Sequence, residues 1–470
     1  MSPAMGEPDG KRQLTTLDAT LLVMGGIVGV GIFFTPQEVA RQAPAAAAFL
    51  ALWVFGGAIA LCAAFTFAEL GATFPRSGGW FVFLREAFGP FPAFLFAWVV
   101  LAVISTGAIA AIVGFCAAQL HAVFPAWIGP GPVAGDPAAG IAAAPASASH
   151  RAVAIGIIVL LTAITMAGVK RAALLQNACM ILKLVAIAGL IVGGLVFVTP
   201  TGGAGGALAA PGAAPADRPL AAGMVSALKP VFFSYGGWQL LCYIAPEVRD
   251  AARTLPRAIV AGVLGVLAIY LFANVAYLRG LGIDGIRAEP TFAATLAGRA
   301  FGATGERLLA AGMAISALGV AAVNVITGPW LYVAMAREGL FFGAVGRLSA
   351  RTGAPVVALC IQGALAVVYF FASTLQELVS SVVFVEWIFH GLAALALLRL
   401  RAARPSLPRP FRSFAYPLAP LVYLVASLLV VGGTLWADPW SVIGQALAVV
   451  AVGIVVYWPW RRLVARAGRI

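Results

Sequence analysis

The stretch GGIVGVGIFFTP, residues 25 to 36, lies in the first long apolar run of the chain, where an unbroken membrane helix is the ordinary expectation. It carries four glycines and ends in a proline. In hydrocarbon every backbone N–H and C=O must be satisfied internally, so a non-helical stretch at membrane depth is tolerated only where protein buries it or where it lines a wet cavity. Glycine permits such an unwinding and lets a ligand approach the backbone closely. The competing reading is a small-residue packing face, since Gly25 and Gly29 have G-x-x-x-G spacing. Taken alone, the stretch leaves both readings open.

Composition settles the solvent. The chain has 470 residues, 62% of them hydrophobic and 10% charged. With a mean hydropathy of +0.99, it is too apolar for a water-soluble globule and reads as a polytopic membrane protein. The run from Leu21 onward is not followed by a small-residue cleavage site, so it reads as a retained first span and not a signal peptide. Cys62, Cys116, Cys179, Cys242 and Cys360 all lie in or beside apolar runs, as small hydrophobes do, and their spacing offers neither a metal site nor a disulfide framework. The 30 Lys and Arg against 17 acids point to loop orientation in the membrane and not to a nucleic-acid partner.

Runs long enough to cross a bilayer, about 20 residues each, number roughly twelve: 16–42, 45–72, 89–122, 151–168, 173–199, 220–245, 256–281, 305–335, 354–372, 376–400, 414–436 and 440–460. A cytoplasmic N-terminus puts most of the basic residues in inner loops and tails, so both termini are expected inside. Residues 125–150 and 200–217 are rich in Ala, Gly and Pro and read as flexible outer linkers.

The sixth span repeats the anomaly of the first. It reads VFFSYGGWQLLCYIAP (231–246), with Gly236 and Gly237 in mid-membrane and Pro246 near its inner end. Spans one and six are the first helices of two five-helix halves. Paired interruptions at matching places point to a midplane substrate site between inverted repeats.

These residues carry a family resemblance. GGIVGVGIFFTP resembles the glycine-rich first-span segment of the amino acid, polyamine and organocation transporter superfamily. AELGATFPRSGGWFVFLREAFG (68–89) resembles the loop after its second span. SYGGWQLLCYIAPEVRDAARTLPRAI (234–259), NVAY (274–277), AREG (336–339) and LRLRAARPSLPRPFR (398–412) match further on, in the right order. Within the superfamily the chain is most similar to the L-type amino acid transporters and their bacterial relatives.

The resemblance implies an all-α membrane protein of about twelve transmembrane helices, with a LeuT-type 5+5 inverted repeat, helices one and six broken, and two helices added. The corresponding divisions are a cytoplasmic N-terminal tail (1–15), a first five-helix repeat (16–199), a second (220–400), and two further helices with a cytoplasmic tail (401–470). It also implies a substrate held at the unwound parts of spans one and six, around Gly29 and Gly236. Exposed N–H groups and the positive end of a half-helix suit a carboxylate, while free carbonyls and the opposite dipole end suit an ammonium. A zwitterionic amino acid fits both. On this reading the amides of Val30, Gly31 and Ile32 receive the carboxylate. Carbonyls near Ile27 and Val28, and near Phe233 and Ser234, take the amino group. Val30 stands where the family usually has serine, which removes a hydroxyl but leaves backbone recognition intact. Tyr235 and Trp238 are expected to cover or shape the side-chain pocket, the alternative being packing or interfacial aromatics.

Lys183, in QNACMILKLVAIAGLIVGG of the fifth span, is a charge at the membrane interior, where insertion costs at least ~2.5 kcal/mol. It lies twelve residues beyond Arg171, roughly 18 Å along a helix, so its amine does not easily snorkel to that surface. Relatives place a lysine amine where sodium sits in sodium-coupled members. Carried over, Lys183 meets a first-span carbonyl near Gly26 and the hydroxyl of Ser316, and its protonation is coupled to closure of the site. Protons are then the coupling ion, with no other cofactor and no metal.

Glu386 and His390, in FVEWIFHGL, are four apart and share one helix face. The family more often shows an uncharged polar residue at 386, so this pair is a possible second ionisable site, a counter-charge for a basic substrate, or a hydrogen-bonded part of the scaffold. Glu69, Glu247, Arg253 and Arg257 read as one inner polar network.

A membrane enzyme would need a catalytic constellation, yet the histidines (His121, His150, His390) are scattered and no H-E-x-x-H, G-x-S-x-G or phosphate loop occurs. A channel would want a filter ring or pore loop, and none is found. The expectation is a secondary active amino acid permease of the cytoplasmic membrane, working by alternating access in the lipid bilayer. Neutral substrates with proton coupling are preferred, because no acid is seen beside the unwound segments. Exchange, polyamine or cationic amino acid transport, and a substrate-binding membrane sensor remain as alternatives. No cysteine lies in the loop between spans three and four, where L-type transporters join a heavy subunit, so no such partner is expected.

Overall fold

The computed structural model describes residues 12–129, 147–199, 220–372, 375–437 and 440–467. The linker 200–217, the central part of linker 125–150 and most of the 1–15 tail lie outside the described residues. In chain order the helices are α1 (Thr16–Ile27), α2 (Thr35–Gln42), α3 (Ala46–Thr73), α4 (Trp80–Phe88), α5 (Pro90–Val123), α6 (Ala148–Met166), α7 (Val169–Phe197), α8 (Leu220–Tyr235), α9 (Ala251–Ala288), α10 (Phe292–Arg337), α11 (Val356–Ala372), α12 (Leu375–Ala403), α13 (Leu418–Ala437) and α14 (Trp440–Ala467). The fold is all-helical among the described residues. One isolated bridge joins Leu14 to Val248.

Seven of these helices, α3, α5, α6, α7, α9, α10 and α13, are long and apolar enough to cross a membrane. The chain is a multi-pass membrane protein. Its outward surface fits that solvent: Ile181, Leu182 and Val185 of α7 and Val425 and Leu428 of α13 are exposed, as apolar side chains facing lipid would be. Spans one and six do not reach spanning length as single helices because each is broken. α1 opens with a capping box in which Thr15 accepts from the amide of Asp18 while Asp18 accepts from the amide of Thr15, at 3.2 and 2.9 Å, a reciprocal pairing that fixes the helix start. It ends at Ile27. The chain runs non-helically through Val28–Val30, makes a single 3-10 turn over Gly31–Phe33, and restarts as α2 with Pro36 in the first turn, where a missing N–H costs nothing. α8 stops at Tyr235, and the chain resumes after Gly236 and Gly237 as a 3-10 segment, Trp238–Glu247.

α10 packs along α5 and α7, α9 along α3 and α1, and α12 along α13. Trp53, Trp80, Trp238, Trp330, Tyr235, Tyr270 and Tyr277 are all fully buried. α9 and α10, at 38 and 46 residues, exceed a bilayer's need of ~20, and each bends at a glycine of positive φ, Gly282 (71°) and Gly302 (65°). Each of the expected spans 256–281 and 305–335 lies on one side of that bend.

One element departs from the sequence reading. Residues 80–88, read as loop, form α4, bounded by Gly79 (φ 38°) and Gly89 (φ 94°). The preceding turn is pinned from two sides: the Gly78 amide donates to Tyr243 O at 3.0 Å, and Ser77 Oγ donates to Trp330 O at 3.1 Å. That anchorage sets the position of Trp80.

Candidate functional site

The two broken segments cross backbone to backbone. A Cβ on Gly237, whose φ is 121°, would lie 2.5 Å from the carbonyl oxygen of Gly26, and one on Gly26 would lie 3.2 Å from that of Gly237. Val30, Gly31 and Ile32 open a helical turn, where amides have no intrahelical carbonyl to bond. The restarted half of span one is tied to α8 by the hydroxyls of Thr35 and Ser234, 2.7 Å apart, while Thr35 also donates to Gly31 O at 2.9 Å.

Behind the crossing stands a pair of tyrosines seven residues apart on α9. Tyr270 OH lies 3.1 Å from Ile27 O and 3.0 Å from Ser234 O, and Tyr277 OH donates to Ile32 O at 3.3 Å. A phenol has one proton to donate, so Tyr270 serves the ends of both broken helices with a single O–H. Neither tyrosine was singled out from the sequence, although Tyr277 closes the NVAY motif and the i, i+7 spacing puts both on one helix face. Tyr270→Phe is expected to weaken substrate binding about 5-fold or more, since leaving a buried carbonyl unpaired costs ~1–3 kcal/mol. Tyr277→Phe, with the longer bond, should cost less. Equilibrium binding of labelled substrate to the two variants tests the order.

A cavity of about 180 Å³ opens at the crossing, well above the ~10–15 Å³ that one water needs. Gly26, Ile27, Gly29, Val30, Gly31, Phe233, Ser234, Gly236 and Trp238 line it, together with Trp80, Phe96, Ser105, Phe232, Gln239, Tyr243 and Asn324. The indole N–H groups of Trp80 and Trp238 are buried with no hydrogen-bond partner among the described residues. Three expected residues are outside the lining. Val28 turns its carbonyl to Lys183. Ile32 is fully buried, with its carbonyl on Tyr277. Tyr235 faces α3: its ring stands edge-on to Trp53 at 6.0 Å and its hydroxyl donates to Trp53 O at 3.2 Å, so it is a packing aromatic and not a pocket wall. The carbonyls expected to take the amino group already have partners, Ile27 and Ser234 in Tyr270 and Phe233 in the Gly236 amide at 3.3 Å. Each keeps a second lone pair.

Lys183 is buried on α7. Its ammonium donates to Val28 O and, at 3.5 Å, to Gly25 O. A cation at these last carbonyls of α1 complements the negative end of the helix dipole. Its partners flank the expected Gly26. Ser316, expected beside it, donates to Gly29 O at 3.1 Å, so amine and hydroxyl hold successive carbonyls of the unwound segment.

Glu386 also lines the cavity, and this corrects the premise for a neutral substrate. Its Oε1 accepts from Gln239 Nε2 at 3.0 Å, and Gln239 Oε1 accepts from the Gly237 amide at 3.1 Å. One glutamine side chain therefore separates the break from a carboxylate. His390 Nε2 is 3.9 Å from the same oxygen, its Nδ1 bonds the hydroxyl of Tyr423, and its ring packs at 4.7, 5.0 and 5.8 Å from those of Trp80, Trp387 and Trp238. Spacing along one helix put Glu386 and His390 on one face, but nothing in it revealed that the face looks at the break. Among the described residues no group of three or more His, Cys, Asp or Glu could hold a metal ion.

The expected inner network of Glu69, Glu247, Arg253 and Arg257 does not form. Glu69 accepts from Arg401 at 2.8 and 2.5 Å and from the Ser413 amide at 2.6 Å, with Arg409 at 3.4 Å. Arg253 sits by Asp250 at 3.7 Å on the surface, Arg257 is exposed, and Glu247 takes the Gln13 and Leu14 amides on its backbone carbonyl at 2.9 and 3.0 Å. Arg404 meets Glu86 at 2.7 Å and Arg85 meets Glu338 at 2.6 Å. The quoted stretches 68–89, 336–339 and 398–412 thus converge in space through ion pairs.

Comparison with known proteins agrees with this architecture. A family model described as amino acid permease matches residues 14–457. The chain is 28% identical over 463 residues to the large neutral amino acids transporter small subunit 2 of Homo sapiens, covering 97% of this chain and 82% of that protein. It is 29% identical over 451 residues to the serine/threonine exchanger SteT of Bacillus subtilis, covering 95% and 96%. With the b(0,+)-type amino acid transporter 1 of Mus musculus it shares 27% over 449 residues, covering 95% and 88%. The chain belongs to the amino acid permease family, a family of transporters and not of enzymes.

Proposed function

We propose that this permease carries amino acids across the cytoplasmic membrane by alternating access, with the zwitterionic headgroup of the substrate held at the crossing of the two broken helices. The observation that carries the reading is the cavity bounded by both breaks, with Val30 and Gly31 of the restarting turn on one side and the end of α8 at Phe232–Ser234 on the other. Amides at a helix start suit the carboxylate and carbonyls at a helix end suit the ammonium. Transport then requires that binding energy differ between inward- and outward-facing states.

The architecture we infer is a twelve-span 5+5 inverted repeat, 16–199 and 220–400, with two added helices and both termini cytoplasmic. Its support is the matching placement of the breaks at Val28–Val30 and Gly236–Gly237. Protons are the inferred coupling ion, through Lys183. A charged lysine holds carbonyls of the unwound segment more strongly than a neutral amine does, which ties its protonation to the conformation of the break. Exchange is the second reading, favoured by the likeness to a bacterial exchanger over 96% of that protein.

Uptake of labelled amino acids into proteoliposomes, with and without an inward proton gradient, tests this against Lys183→Ala. Gradient-driven accumulation that the variant loses is the expected result. Uptake that ignores the gradient but requires amino acid inside would make the protein an exchanger, and saturable binding without any flux would make it a sensor.

A further inference from the structure

The geometry points to Glu386 as the counter-ion for a cationic side chain, so that the cavity takes amino acids whose side chain ends in an ammonium or guanidinium group. This deepens the permease reading above and rests on it. Glu386 is partly open, with 23% of its side chain exposed, and it belongs to the cavity wall. Its Oε1 is oriented by Gln239, which is itself fixed by the Gly237 amide. Among the described residues its second oxygen has no partner, no lysine or arginine lies within ion-pair reach of the carboxylate, and none lines the cavity. Among the described residues the ionisable groups beside it are His390, at 3.9 Å, and the hydroxyls of Tyr243 and Tyr423.

A carboxylate within the bilayer is costly unless it is paired, and beyond the Gln239 amide and the His390 imidazole no lysine or arginine among the described residues neutralises it, which leaves that part to what enters the cavity. The position of the carboxylate decides which part of a substrate that is. An amino acid whose α-groups rest on the two breaks extends its side chain away from them, and Glu386 stands one glutamine away from Gly237. A few methylenes followed by a cation span that gap. Trp80, Trp238 and Trp387 line the same cavity, and indole faces attract a desolvated cation. A neutral side chain of equal length would leave the carboxylate uncompensated.

Arginine and citrulline have nearly the same shape and differ in charge, so their ratio of uptake reads the carboxylate directly. In proteoliposomes of the full chain we expect arginine to exceed citrulline by at least ~10-fold, as expected when a buried charge finds its partner. Glu386→Gln should bring the ratio close to one, and Glu386→Asp, which keeps the charge, should retain a preference for arginine. The ratio is internal to each sample and does not depend on how much variant folds. Equal uptake of arginine and citrulline by wild type, or an arginine preference that survives Glu386→Gln, overturns the proposal while leaving an amino acid permease in place. Uptake of neither overturns the proposal, and uptake of no labelled amino acid at all by protein that is folded and monodisperse overturns the permease reading as well.

Discussion

Gly237→Ala is expected to abolish saturable uptake, with the residual rate below a tenth of wild type. The reason is local and has two parts. At φ 121° a side chain costs about 1–2 kcal/mol in backbone strain alone. The added Cβ would also stand 2.5 Å from Gly26 O, 2.6 Å from Gly26 C and 3.0 Å from Ile27 N. These are backbone atoms of the other broken helix, and no rotamer change relieves them. The two breaks must separate, which moves the Gly237 amide off Gln239 and releases the end of α1 from Tyr270. Since ~1.4 kcal/mol is a factor of ten, strain and displacement together exceed that factor. Gly236→Ala is the control, because its Cβ would meet only Phe233 O at 3.5 Å and Phe232 O at 3.8 Å, which is ordinary contact. Uptake should survive there at a reduced level. If Gly237→Ala transports at the wild-type rate, the close crossing seen here has no part in the transport cycle.

The contrast between these neighbours shows what the sequence could and could not carry. Two glycine-rich interruptions in apolar runs are visible as pattern, because hydrocarbon makes an unsatisfied backbone costly, and both breaks fall where the pattern put them. Which residues face the cavity is a matter of rotation about a helix axis, and apolarity on every side erases the amphipathic signal that fixes it in water. Tyr235 and Trp238 illustrate this: they are close in sequence, yet one packs on Trp53 and the other lines the cavity. Long-range polar contacts were equally hidden. Nothing local links Gln239 to Glu386, 147 residues apart, or Tyr270 to Ile27, 243 apart. α4 escaped for another reason. Its nine residues carry Arg85 and Glu86 and follow a Pro-Arg-Ser-Gly-Gly turn, so loop chemistry masked a helix whose ends are set by glycines of positive φ.

The same hidden contacts govern the second large effect, Glu69→Leu, which is expected to lower the melting temperature of the detergent-solubilised protein by several degrees and to reduce uptake in proportion to lost folded protein. Glu69 is 1% exposed and has three partners, the guanidinium groups of Arg401 and Arg409 and the Ser413 amide. Arg401 is further held with its guanidinium carbon 3.8 Å from the centroid of the Tyr416 ring. The cluster fastens the end of α3 to the end of α12 and to the segment that leads into α13. Removing the carboxylate leaves two largely buried cations without an anion, and breaking a buried pair from one side costs ~3–5 kcal/mol. Removing an arginine as well should return part of that loss. Glu69→Leu combined with Arg401→Met is therefore expected to be more stable than Glu69→Leu alone, with a coupling of about 0.5–3 kcal/mol between the sites. Equal melting temperatures for the single and double variants would show that the guanidinium groups find water once the carboxylate is gone, and that the ends of α3 and α12 are held by their apolar packing instead of by the ion pair.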